Sequence, residues 1–294
     1  MADPWAPPNP PGGAKFTPSR ALVKATYQLL MADKSMIVLL FGGGVAAAAV
    51  LGGIMFPAWF YGHITPNIVG SGWVGIVVYA AAIWAATFVM VLVTGAVVAA
   101  AMIRADGGTP TVRAAIGVAW SRRWQLAAWA TVSTLVGVLM NLLQRFGIGG
   151  LAVRLVAGIG WAVATIFAIP LVISEGTMPA ATLRRSAAMV KGTFGATIRS
   201  NIRLAAPWVI AMVVSLIVAV AGVVAIAVGV SGHLTGTALL GGAIAVVGGV
   251  SFFFTCVTSA ALSAYLHTML FRYATGQPIP GIDPADLPPL RATS

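Results

Sequence analysis

Charged residues are scarce in this sequence. Asp, Glu, Lys and Arg make up only 8% of its 294 residues, against roughly 25% in an ordinary soluble domain. A soluble domain with so few charges could not cover its surface with well-hydrated groups, and 59% of the residues are hydrophobic. The hydrophobic residues form long blocks rather than the alternation of a half-buried strand. The composition therefore excludes a soluble globular protein and predicts a polytopic membrane protein.

Cysteine, histidine and acidic residues are also rare, and each shortage excludes a class of site. The single cysteine, Cys256, excludes an intrachain disulfide and a cysteine-based metal cluster. None of the 6 acidic residues lies inside an apolar block, where a proton-coupled pump would need a carboxylate. The 3 histidines, His63, His233 and His267, are divided between the two predicted sides of the membrane. We therefore expect no catalytic residue, no metal and no cofactor, and we predict that the protein is not an enzyme.

Apolar blocks dominate what the sequence does contain. Each of six blocks is long enough to cross, as a helix, the roughly 30 Å of bilayer hydrocarbon. They cover residues 36–60, 72–103, 126–143, 151–173, 205–230 and 239–266. We predict a disordered, proline-rich tail over residues 1–18, a membrane domain over 19–274 and a disordered C-terminal tail over 275–294. Pro170 is expected to kink the fourth span, because proline lacks a backbone N–H.

Basic residues are distributed asymmetrically among the connections. All but two of the 17 Lys and Arg residues, the exceptions being Arg145 and Arg154, lie on one predicted side of the membrane. Basic loops stay in the cytoplasm, so both termini are predicted to be cytoplasmic. The net charge of +11 is then explained by attraction to anionic lipid headgroups. Nucleic-acid binding would need a folded basic domain with aromatic stacking partners, which this chain lacks.

Three of the basic segments resemble one another. Residues 19–31, 112–124 and 182–194 each begin with an Arg followed by a small residue and carry apolar residues three and four apart. This pattern is typical of an amphipathic helix lying in the membrane interface. The predicted fold is therefore all-α: a polytopic transmembrane six-helix bundle with three cytoplasmic interfacial amphipathic helices. Trp120 and Trp124 fall near a predicted interface, as in an aromatic belt.

The interfacial segments suggest contacts with lipid phosphate. A helix lying flat among the headgroups would direct its arginines at phosphate, which the guanidinium binds in a bidentate manner. The matching residues are Arg20, Arg113 and Arg185. The same side chains could instead form ion pairs with Asp33, Asp106 or Glu175. Exposed ion pairs contribute about 1 kcal/mol or less, so energetics alone does not separate the two roles.

The sixth block carries hydroxyl groups on one helical stripe, at Ser251, Thr255, Ser259 and Ser263. In one interpretation they pack against neighbouring helices and bond back to their own backbone. In the other they form the polar wall of a substrate path. Small residues continue such faces on the first, fifth and sixth blocks and favour close helix packing. They are Gly44, Ala48, Gly52, Ala221, Ala225, Gly229, Gly241, Ala245 and Gly249.

Two stretches resemble a recurrent bacterial pattern. In residues 169–194, IPLVISEGTMPAATLRRSAAMVKGTF, a span ends in proline and aliphatic residues, and an acidic residue and a basic helix follow. Residues 269–280 read MLFRYATGQPIP. Both are similar to uncharacterised six-span bacterial membrane families of unknown function, and more distantly to the membrane domain of glycerophosphodiester phosphodiesterases. The resemblance implies a six-helix bundle in the bacterial cytoplasmic (inner) membrane, without the phosphodiesterase catalytic domain and without an assigned activity.

Two functions stay open. The sequence favours a non-enzymatic integral membrane protein, an accessory, assembly or lipid-organising component whose partners are the bilayer, anionic lipid headgroups and other membrane proteins. The alternative is a transporter or channel for a small or lipidic solute. Intramembrane polar residues should be abundant in a transporter, and here they are scarce.

Overall fold

The computed structural model describes residues 26–28, 34–64, 72–143, 147–232 and 234–280. Within these ranges the regular secondary structure is helical, as the sequence predicts. The helices are α1 (Lys34–Ile64), α2 (Gly72–Ala105), α3 (Val112–Ser121), α4 (Arg123–Leu143), α5 (Gly147–Ala164), α6 (Ala168–Glu175), α7 (Pro179–Ser231) and α8 (Thr235–Ala274). Residues 26–28 form a further helical turn.

Within the described ranges, 5 helical segments are long and apolar enough to cross a membrane. They are Ser35–Pro57, Val77–Ala105, Val156–Glu175, Ala206–Ser231 and Thr235–Ala274. They correspond to the first, second, fourth, fifth and sixth predicted spans and support the membrane class. The predicted third span, residues 126–143, lies in helix α4 but is not among these segments. Polar residues in the first turn of α4 and again near its middle make it less apolar than the others.

The fourth predicted span is broken one turn before Pro170. Helix α5 ends at Ala164 and helix α6 begins at Ala168, so residues 165–167 interrupt the helical run. Proline has no N–H to donate to the carbonyl four residues earlier, that of Ile166, and its ring crowds this carbonyl. The predicted kink is thus confirmed, and it separates two helices.

Helix α7 is longer than the sequence predicts. We expected an interfacial helix over residues 182–194 and a separate span over 205–230, but one helix of 53 residues covers both. At 1.5 Å per residue this helix is about 80 Å long. The residues between the two predicted elements include no proline and only one glycine, Gly195, so no stop signal ends the helix. The predicted separation of the third interfacial helix from the fifth span is therefore wrong.

Helices α7 and α8 form a hairpin whose backbones lie very close together. A Cβ on Gly222 would overlap the backbone of Ala245, and a Cβ on Gly248 would overlap that of Ala219. Gly249 faces open space, so Gly248 takes the place of Gly249 on the predicted contact face of α8. Of the other predicted contact glycines, a neighbouring helix meets Gly44, Gly229 and Gly241 but not Gly52.

The buried core lies where the C-terminal halves of α2 and α8 meet α6. Val97, Leu171, Tyr265 and Leu266 are fully buried there, packed with residues of α1, α3 and α4. In the segment Ala206–Ser231 of α7, in contrast, few residues are buried inside the protein. Such an apolar surface is compatible with lipid, which is itself apolar, and needs no further protein cover in a membrane.

Candidate functional site

Two corners of the chain meet beside the core. Arg122 lies between α3 and α4, and Gly176 caps the C-terminus of α6. A Cβ on Gly176 would overlap the Arg122 guanidinium, and Gly176 also has a φ of 67°, which L side chains rarely adopt. The position therefore favours glycine for two reasons. The guanidinium is also favourable near the negative end of the α6 dipole. We call Trp120, Arg122, Arg123, Trp124, Glu175, Gly176, Arg184 and Arg185 the basic corner.

An ion pair occupies part of the basic corner. Arg185 Nη1 lies 2.9 Å from Glu175 Oε2. This is the ion-pair role that the sequence left open for Arg185, so its charge is already matched by a carboxylate. The neighbouring Arg184 and the predicted Arg113 are exposed, and neither has an ion-pair partner among the described residues. Arg20 and Asp33 lie outside the described residues.

Arg123 lies between two exposed tryptophans. Its guanidinium carbon is 5.8 Å from the ring centre of Trp120 and 5.6 Å from that of Trp124, within the range of cation–π attraction. Arg123 Nη1 donates to the Trp120 carbonyl at 3.3 Å. The two tryptophans are 52% and 72% exposed. Large aromatic side chains with a polar edge are typical of the membrane–water interface.

A second ion pair was not predicted. Asp106, which follows α2, pairs with Arg272 near the end of α8 at 2.6 Å, rather than with Arg113. Arg272 Nε also donates to the Pro278 carbonyl at 2.9 Å, and its side chain is only 7% exposed. Arg272 and Pro278 both lie in the stretch 269–280, and the resemblance of this stretch to other families was the sequence signal for the site.

The chain after α8 folds back onto the core. Gly276 has a φ of 69°, and the N–H of Gln277 donates to the Arg272 carbonyl at 2.8 Å, as in a glycine-capped helix end. Ile279 is buried in the core. Residues 275–280, which the sequence assigns to a disordered tail, therefore belong to the folded domain, because the buried Arg272 and Ile279 hold the chain to the bundle.

A buried serine satisfies the break between α5 and α6. The backbone N–H of Phe167 donates to Ser186 Oγ of α7 at 3.2 Å, and both residues are fully buried. A free N–H in a fully buried break would be costly. Ser186 therefore holds α7 against the broken span. Sequence analysis missed this contact, because nothing in the local pattern separates a buried serine from a small interfacial residue.

The three basic segments bury matching positions when they are aligned on Arg20, Arg113 and Arg184. The residues two and six positions later are Ala115 and Ala119 on α3, and Ser186 and Val190 on α7, and all four are buried. Thr26, six positions after Arg20, is also buried. Residues four apart lie on one helical face, so each described segment packs a face onto the bundle. On this alignment Arg184, not Arg185, is the arginine that matches Arg113, and the repetition stays a prediction.

The residues of the predicted hydroxyl stripe of α8 differ in exposure, and Thr255 is buried. Thr255 Oγ1 donates to the Ser251 carbonyl at 2.8 Å, a bond to its own helix. Ser251 is exposed, and Ser259 and Ser263 are half-buried. The backbone bond is the kind expected from a packing role, and the wall of a substrate path stays a prediction.

A cleft of about 370 Å³ lies between α2, α4 and α6. It is largely apolar and is lined by Ala86, Thr87, Met90, Val91, Thr94, Trp129 and Ile169. Trp129 stacks on Trp161 of α5 at 5.9 Å, and the Thr94 hydroxyl bonds to the Met90 carbonyl at 2.8 Å. The volume is at the lower end of the range for small-ligand sites. None of the predicted stripe residues lines this cleft.

Residues that could bind a metal do not converge in the part of the chain that the structure describes. No group of three or more His, Cys, Asp and Glu residues occurs there. His267 and Cys256 lie on α8, and both are partly exposed. His233 and the side chain of His63 lie outside the described residues.

The sequence matches a family model over residues 73–279, from the start of α2 to the buried Ile279. The family is described as a family of unknown function, DUF6159. No curated protein and no solved structure matches the sequence. The resemblance to the membrane domain of glycerophosphodiester phosphodiesterases therefore rests on the two quoted stretches alone.

Proposed function

The chain belongs to the DUF6159 family of unknown function, and we propose that it is a non-enzymatic integral membrane protein that organises anionic lipid at the cytoplasmic leaflet. In this proposal α4 is the sixth span, both termini are cytoplasmic and the membrane is a bacterial cytoplasmic membrane. The asymmetry of the basic residues supports the orientation. Accessory or assembly roles with other membrane proteins are forms of the same proposal.

The proposal is supported by the location of the charged residues in the described part of the chain. The ion pairs Asp106–Arg272 and Glu175–Arg185 join helix ends to neighbouring segments, while the core is built from Ala, Val, Leu and aromatic side chains. Transporters of polar solutes place ionisable groups along the path. An apolar helical bundle with its charged residues at one end is instead suited to binding the surface of a bilayer.

Lipid analysis of the full-length protein tests this proposal. We expect protein extracted in a mild detergent to retain phosphatidylglycerol or cardiolipin at more than about twice its share of the source membrane, since each basic residue near an anionic surface contributes about 1 kcal/mol. A membrane protein of similar size without basic loops is the control. Retained lipid with the composition of the source membrane would contradict the proposal.

The cleft between α2, α4 and α6 favours a second candidate function, movement of a lipidic solute. It is apolar, and Ile169, at the start of α6, places the cleft beside the break in the fourth span. Discontinuous helices occur at the substrate sites of several transporters. Vesicles reconstituted with the protein and a fluorescent lipid distinguish the two functions: lipid exchange between leaflets at the protein-free rate supports the organising role, and accelerated exchange supports transport.

A further inference from the structure

We propose that Arg123 and Arg184 of the basic corner bind the phosphate groups of anionic phospholipids, with Trp120 and Trp124 at the level of the headgroups. This inference rests on the proposed membrane role and specifies where the anionic lipid binds. It also replaces Arg185, the arginine predicted from the sequence, with its neighbour Arg184.

The surroundings of Arg123 suit a lipid phosphate. A guanidinium offers five N–H donors. Only one bond from Arg123, to the Trp120 carbonyl, forms among the described residues. The adjacent tryptophans are exposed although they are large and apolar, and exposed tryptophans of membrane proteins are enriched in the interface. Their contact with the guanidinium orients it without consuming its hydrogen-bond donors.

The charges around Arg184 select it over Arg185. Glu175 already neutralises Arg185, whereas no carboxylate among the described residues pairs with Arg184. Arg122 lies against Gly176 and links the end of α6 to the segment that carries Arg123. The basic corner thus holds four arginines and one carboxylate, an excess of positive charge that attracts anionic lipid.

Two substitutions in the basic corner, at Arg184 and at Arg123, test the proposal. Full-length protein in neutral detergent micelles is titrated with phosphatidylglycerol, and native mass spectrometry gives the apparent Kd. Arg184→Gln and Arg123→Gln should each weaken binding about 10-fold, the loss expected for one charge-assisted hydrogen bond. The double variant Glu175→Gln, Arg185→Gln is the matched control and should change it less than about twofold, because it removes both members of an ion pair and leaves the net charge of the basic corner unchanged.

Glu175→Gln provides the opposite test. This variant removes the carboxylate that neutralises Arg185, so it should bind phosphatidylglycerol more tightly than the wild type. Melting temperatures measured without lipid identify any variant that fails to fold. If Arg184→Gln or Arg123→Gln fails to fold, the remaining one of the two and Glu175→Gln still test the site.

Three results would overturn the proposal. They are equal losses in Arg184→Gln and in the double control variant, equal affinity for phosphatidylcholine and phosphatidylglycerol, and displacement of the lipid by millimolar inorganic phosphate, which would indicate a site for free phosphate. The variants could behave as predicted while the protein also accelerates lipid exchange between leaflets. That combination would refute the organising function but not the lipid site.

Discussion

Replacing Ser186 by Ala should destabilise the protein measurably, although only one oxygen atom is lost. The Ser186 hydroxyl accepts the N–H of Phe167 at the break between α5 and α6, and neither residue is exposed. Because water does not reach this N–H, Ser186→Ala leaves a buried donor without a partner. An unsatisfied buried donor costs about 1–3 kcal/mol, and hydrogen bonds between membrane helices measure up to about 1.7 kcal/mol. We expect a loss of about 1–2 kcal/mol.

Reversible unfolding in mixed detergent micelles measures this loss, and Ser174→Ala is the matched control. Ser174 is exposed, and its hydroxyl donates to the Pro170 carbonyl of its own helix at 2.8 Å. Removing that hydroxyl should change the free energy of unfolding by less than about 0.5 kcal/mol. If the two variants lose equal stability, or if Ser186→Ala loses none, the assignment of Ser186 as the partner that satisfies the break is wrong.

Further predictions concern the two glycine contacts and the unpredicted ion pair. Gly248→Ala should cost about 1–3 kcal/mol in the same unfolding assay, because its Cβ would overlap the Ala219 backbone. Gly249 faces open space, so Gly249→Ala should be neutral or stabilising by up to about 1 kcal/mol. Equal effects of the two substitutions would contradict the close packing of the hairpin. Gly176→Ala should cost more than about 1 kcal/mol, because the φ of 67° and the Arg122 guanidinium both oppose a Cβ; a stability equal to wild type would contradict the contact between the two corners. Asp106→Ala should cost about 1–3 kcal/mol, because it leaves the buried Arg272 without its carboxylate partner. The double variant Asp106→Ala, Arg272→Met should recover part of that loss of stability. A double variant less stable than Asp106→Ala alone would show that the unpaired charge is not the cause of the loss.

The sequence was most informative where one physical effect dominates. Long apolar blocks must become helices in a bilayer, because only helices and closed barrels satisfy every backbone hydrogen bond there. At Pro170 the expected break lies one turn earlier. Pro57 of α1 and Pro207 of α7, in contrast, lie inside uninterrupted helices, so the proline rule alone does not determine where a helix breaks.

Prediction failed where the outcome depends on contacts distant in sequence. Arg184 and Arg185 are adjacent and chemically identical, and only the position of Glu175 at the end of α6 decides which of them is paired. Gly248 and Gly249 are likewise identical in sequence terms, and only Gly248 faces the neighbouring helix α7. The Asp106–Arg272 pair joins residues 166 positions apart, which no local pattern can relate.

The central claim, that the basic end of the bundle lies at the cytoplasmic leaflet, is tested most directly by reporter fusions at three glycines of the described chain. A reporter that is active only in the cytoplasm is fused after Gly108, after Gly176 or after Gly232. Gly108 and Gly176 lie in the basic connections, whereas Gly232 lies between α7 and α8 in a connection without Lys or Arg. We predict activity after Gly108 and Gly176 and none after Gly232; activity after Gly232, with silence after the other two, would contradict the account.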